Sequence, residues 1–231
     1  MSSRRQDIAA LLARCSDVHD RVKATYEASL DNKQVSSELR LDVKYVCESY
    51  RSVLDYLAHD IRETHCPQAN QNDRFYFPIL PDNATFTSRM NQWYADLDTA
   101  CRDLWDYLES VQPYQQGFAW LGEFNRVNNE NKHDRLVGQE RTESHGGARI
   151  TTPGVGSISW TPGVTFTGGI SVMGAPIDPN TQLPVPNPGQ KVERIIWVDF
   201  QFEGTQISVQ RLLSNARKGI EDICSKVQTW L

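Results

Sequence analysis

The chain has 231 residues, of which 39% are hydrophobic and 23% are charged. This composition supports a buried core and excludes a disordered chain, and no run of about 18 apolar residues predicts a membrane span. Residues 1–140 hold 16 Lys and Arg against 22 Asp and Glu, whereas residues 141–231 hold 8 against 7. The acidic first part argues against a general nucleic-acid binder with a basic surface.

The five cysteines are scattered and form no Cys-x-x-Cys pair. We therefore expect neither a disulfide framework nor a zinc ribbon, but small buried thiols in a reducing cytoplasm. The first residues lack the apolar core of a signal peptide. His59, His65 and Cys66 do not have the spacing of a known metal site, so we expect no metal and no cofactor. Phosphate-binding glycine loops and a G-x-S-x-G elbow are also absent from the sequence.

Apolar residues at helical spacing predict two long helices at the start of the chain, over residues 4–30 and 34–65. The second has an apolar stripe from Leu39 to Ile61 and ends before Pro67. Residues 66–81 are predicted to form an irregular loop whose aromatic residues lie across the bundle as a lid. Further helices are predicted over residues 84–94, 95–111 and 115–134.

The composition changes near Arg141, after which Gly, Pro, Ser and Thr dominate. The strongest predicted strand is 192–203, in which apolar and polar residues alternate. Ser208 is a predicted N-cap for a last helix, 209–231, whose apolar stripe should pack on the N-terminal bundle. Residues 175–190 are rich in proline and predict a long loop. Shorter β-like runs lie at residues 148–152, 157–161, 164–167 and 169–173.

A dense polar run, residues 124–135, lies in the predicted helix 115–134. Arg126 and His133 are seven residues apart, which is about two helical turns and places them on one face. A guanidinium and an imidazole on one face can clamp a phosphodiester and move a proton. The alternative interpretation is a solvated helix end with Asn-rich capping.

A second polar stripe runs along helix 34–65, where Arg51, Asp55 and His59 follow each other at intervals of four. In one interpretation, Asp55 orients a ring or a guanidinium that faces the Arg126/His133 helix. In the other, the stripe is a ladder of surface ion pairs.

Four segments, in order, resemble a broad group of uncharacterised bacterial HEPN-like proteins. The first has the pattern R-x-x-L-D-x-L-A, and the last contains Asn128 and His133. The segments are residues 50–59, Phe77-Pro78-Ile79, Val111-Gln112-Pro113-Tyr114, and Asn128 with Asn131-Lys132-His133-Asp134-Arg135.

The resemblance implies an α+β protein in which residues 1–140 and helix 209–231 form a HEPN-like up-down bundle. A small antiparallel β element, residues 141–207, is inserted before the last helix. Active HEPN proteins are dimeric, metal-independent endoribonucleases with an R-x4–6-H motif, which Arg126 and His133 match at its long limit. Val127 stands where that motif usually has a polar residue.

By this resemblance His133 is the general acid–base and Arg126 the phosphate clamp. Asn129 and Lys132 are supporting groups, with Asp55 and Arg51 as polar partners from the second helix. The implied function is RNA cleavage in a bacterial defence or toxin system, by a cytoplasmic homodimer with a possible partner protein. The alternatives are a non-catalytic interaction module, or a sensor that binds a phosphate ligand at Arg126, Lys132 and Arg135.

Overall fold

The computed structural model describes the backbone of residues 3–29, 36–70, 72–133, 139–160, 164–185, 187–202 and 204–231. Within these ranges, the side chains of residues 3, 26–29, 131–133, 140–147 and 193–200 lie outside the described residues. The described chain is α+β, with helices and a small antiparallel sheet. The helices are α1 (Ser3–Ser29), α2 (Ser37–His65), α3 (Asn83–Trp93), α4 (Leu97–Ala100), α5 (Arg102–Ser110), α6 (Ala119–His133) and α7 (Val209–Val227). The strands are β1 (Gln139–Thr152), β2 (Gly156–Trp160), β3 (Ser171–Val172), β4 (Ala175–Pro176) and β5 (Lys191–Phe202).

The chain divides into two compact units, residues 1–140 with 201–231, and residues 141–200. In the first unit, α2 contacts α1, α6 and α7, and α7 also contacts α1 and α6. The predicted apolar stripe of α2, from Leu39 to Ile61, is buried throughout. Helix α2 is therefore the centre of the bundle. Among the described residues, no helix combines the length and the apolar composition that a transmembrane span requires.

The helix starts follow the capping chemistry of the sequence. Ser36 accepts a hydrogen bond from the Leu39 amide at 3.1 Å and caps α2, and the Asp82 carboxylate caps α3. The predicted cap Ser208 accepts from the Arg211 amide at 3.3 Å. The packing of α7 on the N-terminal helices confirms the prediction made from its apolar stripe.

Two predicted helices were wrong in their limits. The helix expected over residues 95–111 is divided into α4 and α5 because the backbone leaves the helical region at Cys101, with φ −151° and ψ 80°. The helix expected over 115–134 begins only at Ala119, because Gly117 has φ 88°, a left-handed conformation that glycine tolerates best. The apolar face continues across the first break, so periodicity alone could not reveal it.

The second unit has its own core. Strand β1 pairs with β2 in antiparallel register, with Ala148 opposite Trp160, and the sheet order is β2-β1-β5. Ala148, Ile150 and Trp160 are buried together with residues from the Pro-rich region. An apolar cluster of this kind lets a small unit hold its fold.

Predictions in this region were partly wrong. Residues 164–167 are not a strand, and the run predicted at 169–173 reduces to the two residues of β3. The Pro-rich region expected as a loop begins with β4, and a bridge joins Ile177 to Pro184. Proline restricts strand pairing to edges and short bridges, which explains why these pairs are so short.

Candidate functional site

Helix α6 carries the polar run on a continuous helical backbone that reaches His133. Positions 126 and 133 therefore lie two turns apart on one face, as helical periodicity requires. Arg126 and Asn129 are exposed. The side chains of Lys132 and His133, and all of Arg135, lie outside the described residues.

The opposite face of α6 enters the core. Val127 and Asn128 are both 0% exposed. Val127 stands where the R-x4–6-H motif of HEPN proteins, which this segment resembles, usually has a polar residue, and its burial explains an apolar residue there. The amide of Asn128 has no hydrogen-bond partner for either its oxygen or its nitrogen among the described residues. Helix α6 thus divides into a buried face and an exposed face that carries Arg126.

Arg51 of α2 joins three parts of the bundle. Its Nε donates to Asp55 Oδ2 at 3.2 Å, and its Nη2 lies 3.0 Å from Asp55 Oδ1. Its Nη1 donates to Asn125 Oδ1 on α6 at 3.2 Å. Asp55 Oδ1 also accepts from the Phe77 amide at 3.3 Å. Because Arg51 is only 8% exposed, this pair is not the surface ladder considered as one interpretation.

The segment of residues 74–80, here called the aromatic segment, is held by side chains rather than by strand pairing. Gln112 is fully buried; its Oε1 accepts from the Leu80 amide at 2.9 Å, and its Nε2 donates to the Pro78 carbonyl at 3.1 Å. The Tyr94 hydroxyl donates to the Tyr76 carbonyl at 2.8 Å, and burial raises the pKa of Tyr94 far above its ordinary value. The backbone groups of the aromatic segment lie outside any helix or sheet, and these side-chain hydrogen bonds supply their partners.

A cleft of about 370 Å³ lies beside this network. The Tyr76 ring, 48% exposed, meets the Trp93 ring edge-on at 6.2 Å between centroids. Because Asn125 Oδ1 accepts from Arg51, the Asn125 nitrogen is left as a donor at the cleft. The lining residues are Arg51, Tyr76, Phe77, Ile79, Trp93, Asn125 and Asn129. Aromatic faces with amide donors are the groups that hold an unstacked nucleobase.

Asn129 connects the cleft to the predicted catalytic face. It lines the cleft with Asn125, four residues earlier, and it lies three residues after Arg126 on the helix. Helical periodicity puts positions 126, 129 and 133 on one side of α6. A ligand in the cleft therefore lies next to the helical face of Arg126.

His59 does not join the Asp55 pair through any hydrogen bond among the described residues. Its ring instead packs against Phe75, with centroids 4.6 Å apart. Asp55 was expected to orient either a ring or a guanidinium. The structure places the Arg51 guanidinium against it.

Sequence reasoning missed Gln112, Asn125, Trp93 and Arg62. Arg62 is 11 residues after Arg51, or about three turns, so it continues the stripe of Arg51, Asp55 and His59. That spacing was the available signal for Arg62. Gln112 lies in the resembling segment 111–114 and Asn125 in the polar run 124–135, but their partners are far away in the sequence, so local spacing assigned neither of them a role.

The chain matches no model of a known protein family, no curated protein and no solved structure. Among the residues whose placement is described, no three His, Cys, Asp or Glu side chains cluster in a way that could hold a metal ion.

Proposed function

We propose that the protein is a metal-independent endoribonuclease built on a HEPN-like bundle, with Arg126 and His133 as its catalytic pair. The observation that carries the proposal is the cleft formed by Tyr76, Trp93 and Asn129 beside the exposed face of α6. One nucleobase would enter the cleft, and the adjoining phosphate would lie at Arg126.

The chemistry needs no metal because RNA carries its own nucleophile. His133 takes the proton from the 2′-OH, whose oxygen attacks the neighbouring phosphorus. Arg126 balances the negative charge that develops on the phosphate oxygens. The bond to the 5′-oxygen breaks, and that oxygen receives a proton. The products are a 2′,3′-cyclic phosphate end and a 5′-OH end.

The four segments that resemble HEPN proteins also support a homodimer. In that arrangement two copies of the α6 face meet, and the histidine of the second copy returns the proton to the leaving oxygen. Lys132 and Asn129 add a charge and an amide at the same face. The same resemblance supports a cytoplasmic role in bacterial defence or as a toxin.

The test is cleavage of total RNA, and of a single-stranded oligonucleotide, in the presence of a chelator. His133→Ala and Arg126→Ala should each lower the cleavage rate at least about a hundredfold, the usual contribution of one acid–base group or of one group that stabilises the charge of the transition state. The matched control is Arg14→Ala, which removes another exposed arginine of the first unit, on α1, and should keep the wild-type rate. Undiminished cleavage by folded His133→Ala would remove His133 from the mechanism.

A second candidate is a non-catalytic module that binds a phosphate-bearing ligand in the same cleft. The observation that favours it is that Arg51, Asp55 and Gln112 fasten the aromatic segment. Residues in three of the segments that resemble HEPN proteins therefore have a structural role, and this role does not require a catalytic reaction. Binding of uridine monophosphate without cleavage of any RNA would select this candidate.

A further inference from the structure

A second cavity, of about 430 Å³, lies at the C-terminal end of α2. Phe75 borders this cavity, whereas its neighbour Tyr76 borders the Arg51 cleft. The residues that matter for its chemistry are His59, Arg62, Glu63, Cys66, Ala69 and Phe75. Its volume is in the range of small-molecule sites.

Arg62 is the unusual member of this set. It is 6% exposed, and its Nη1 is buried without a hydrogen-bond partner. Its Nη2 donates to the Asn70 carbonyl, and its guanidinium carbon lies 4.2 Å from the centre of the Phe75 ring. These contacts cover the guanidinium without neutralising its charge.

No carboxylate among the described residues forms an ion pair with Arg62. The acidic residues of its own turn, Asp60 and Glu63, are both bound by Arg4, with 2.6 Å between Arg4 Nη1 and Asp60 Oδ1. By contrast Arg51, three turns earlier, has Asp55 at 3.0 Å. A buried cation without a counter-ion is costly, and an anion in the cavity would remove that cost.

The walls restrict which anion fits. The Phe75 ring and Ala69 offer apolar surface, and burial raises the pKa of the Cys66 thiol to about 11, so that it adds no charge. Glu63 lines the same cavity and would repel a doubly charged phosphate more strongly than a singly charged carboxylate. A planar carboxylate also matches the geometry of a guanidinium.

We propose that this cavity binds a small aromatic carboxylate, whose carboxylate pairs with Arg62 and whose ring packs against Phe75 and Ala69. The site is separate from the Arg51 cleft and does not depend on the nuclease activity.

The test is titration of the full chain with benzoate, benzyl alcohol, acetate and phenyl phosphate at constant ionic strength, followed by calorimetry. Benzoate should bind at least about tenfold more tightly than benzyl alcohol, which keeps the ring without the charge, and than acetate, which keeps the charge without the ring. Equal binding of benzoate and benzyl alcohol would overturn the role of Arg62. Tighter binding of phenyl phosphate would overturn the carboxylate assignment. Absence of benzoate binding up to about 10 mM would overturn the proposal.

Variants locate the site. Arg62→Gln should weaken benzoate binding at least about tenfold. Arg74→Gln removes an exposed charge from the adjoining segment and should leave binding unchanged. If Arg62→Gln does not fold, Phe75→Leu keeps the charge, removes the ring and should also weaken binding about tenfold. Wild-type affinity in either folded cavity variant would refute the proposal.

Discussion

Arg51 and Asp55 form a pair whose energy depends on burial. The exposed fractions of their side chains are 9% and 30%, whereas the equally spaced pair of Arg102 and Asp106 has fractions of 63% and 53%. Water solvates and screens the second pair but reaches little of the Arg51 guanidinium. The two pairs therefore allow a direct comparison of one interaction in two environments.

Asp55→Asn should lower the free energy of unfolding by about 2 kcal/mol, because it leaves the buried Arg51 without a counter-charge. This figure lies below the loss for a fully buried pair because Asp55 is partly exposed. Asp106→Asn is the matched control and should cost at most about 0.5 kcal/mol. Urea unfolding followed by far-UV circular dichroism measures both. Equal losses in the two variants would mean that burial does not govern the Arg51 pair.

Part of the candidate site could be predicted from single residues. Spacing of four placed Arg51 and Asp55 together, and spacing of seven placed positions 126 and 133 on one face of α6. Gln112 could not be predicted, because it binds backbone groups of a segment that has no periodicity. Local spacing identifies neighbours within one helix, but it gives no information about contacts to loop backbone that is 32 or more residues away.

At the scale of elements, α6 and α7 meet where Trp120 lies over Gly219. A methyl group built at Gly219 would overlap the Trp120 ring carbon Cζ2 and come within 2.7 Å of Cη2. The two helices can approach this closely because Gly219 has no side chain. The glycine in the middle of α7 is therefore required by packing, although it lowers helix propensity.

Gly219→Ala should destabilise the protein by about 1–3 kcal/mol, because a rigid indole must move to admit the methyl group. Without the overlap, the same change would raise helix propensity and stabilise α7 by up to about 1 kcal/mol. The double variant Gly219→Ala with Trp120→Leu should lose less than the sum of its two single variants. Thermal unfolding of all four proteins forms the cycle, and additive losses would show that the two positions do not interact.

The elements that the sequence predicted well have one continuous apolar face and a polar cap. Helices α2 and α7 have both, and their limits agree with the prediction to within a few residues. The break at Cys101 and the short strands β3 and β4 depend on single backbone conformations and on pairs of two residues. Patterns of hydrophobicity average over such short features.

At the scale of the whole molecule, the chain holds two units with separate cores. In residues 141–200, Trp160 is the largest buried side chain of the apolar cluster, and its ring packs edge-on against Phe166 at 5.1 Å between centroids. The other buried side chains of the described cluster are smaller: Ala148, Ile150, Ala175 and Ile177. Among the described residues of this unit, Trp160 is therefore the largest single contributor to the buried apolar cluster.

Trp160→Ala should remove about 3–5 kcal/mol from the stability of residues 141–200, because it empties much of their core. Hydrogen exchange followed by mass spectrometry should then show fast exchange in peptides from this unit at urea concentrations that leave α2 and α7 protected. Ile158→Ala is the control on the same strand; its side chain is 44% exposed, so it should cost at most about 1 kcal/mol. Loss of protection in both units together would mean that the two cores unfold as one, because a shared transition cannot arise from cores that are energetically independent.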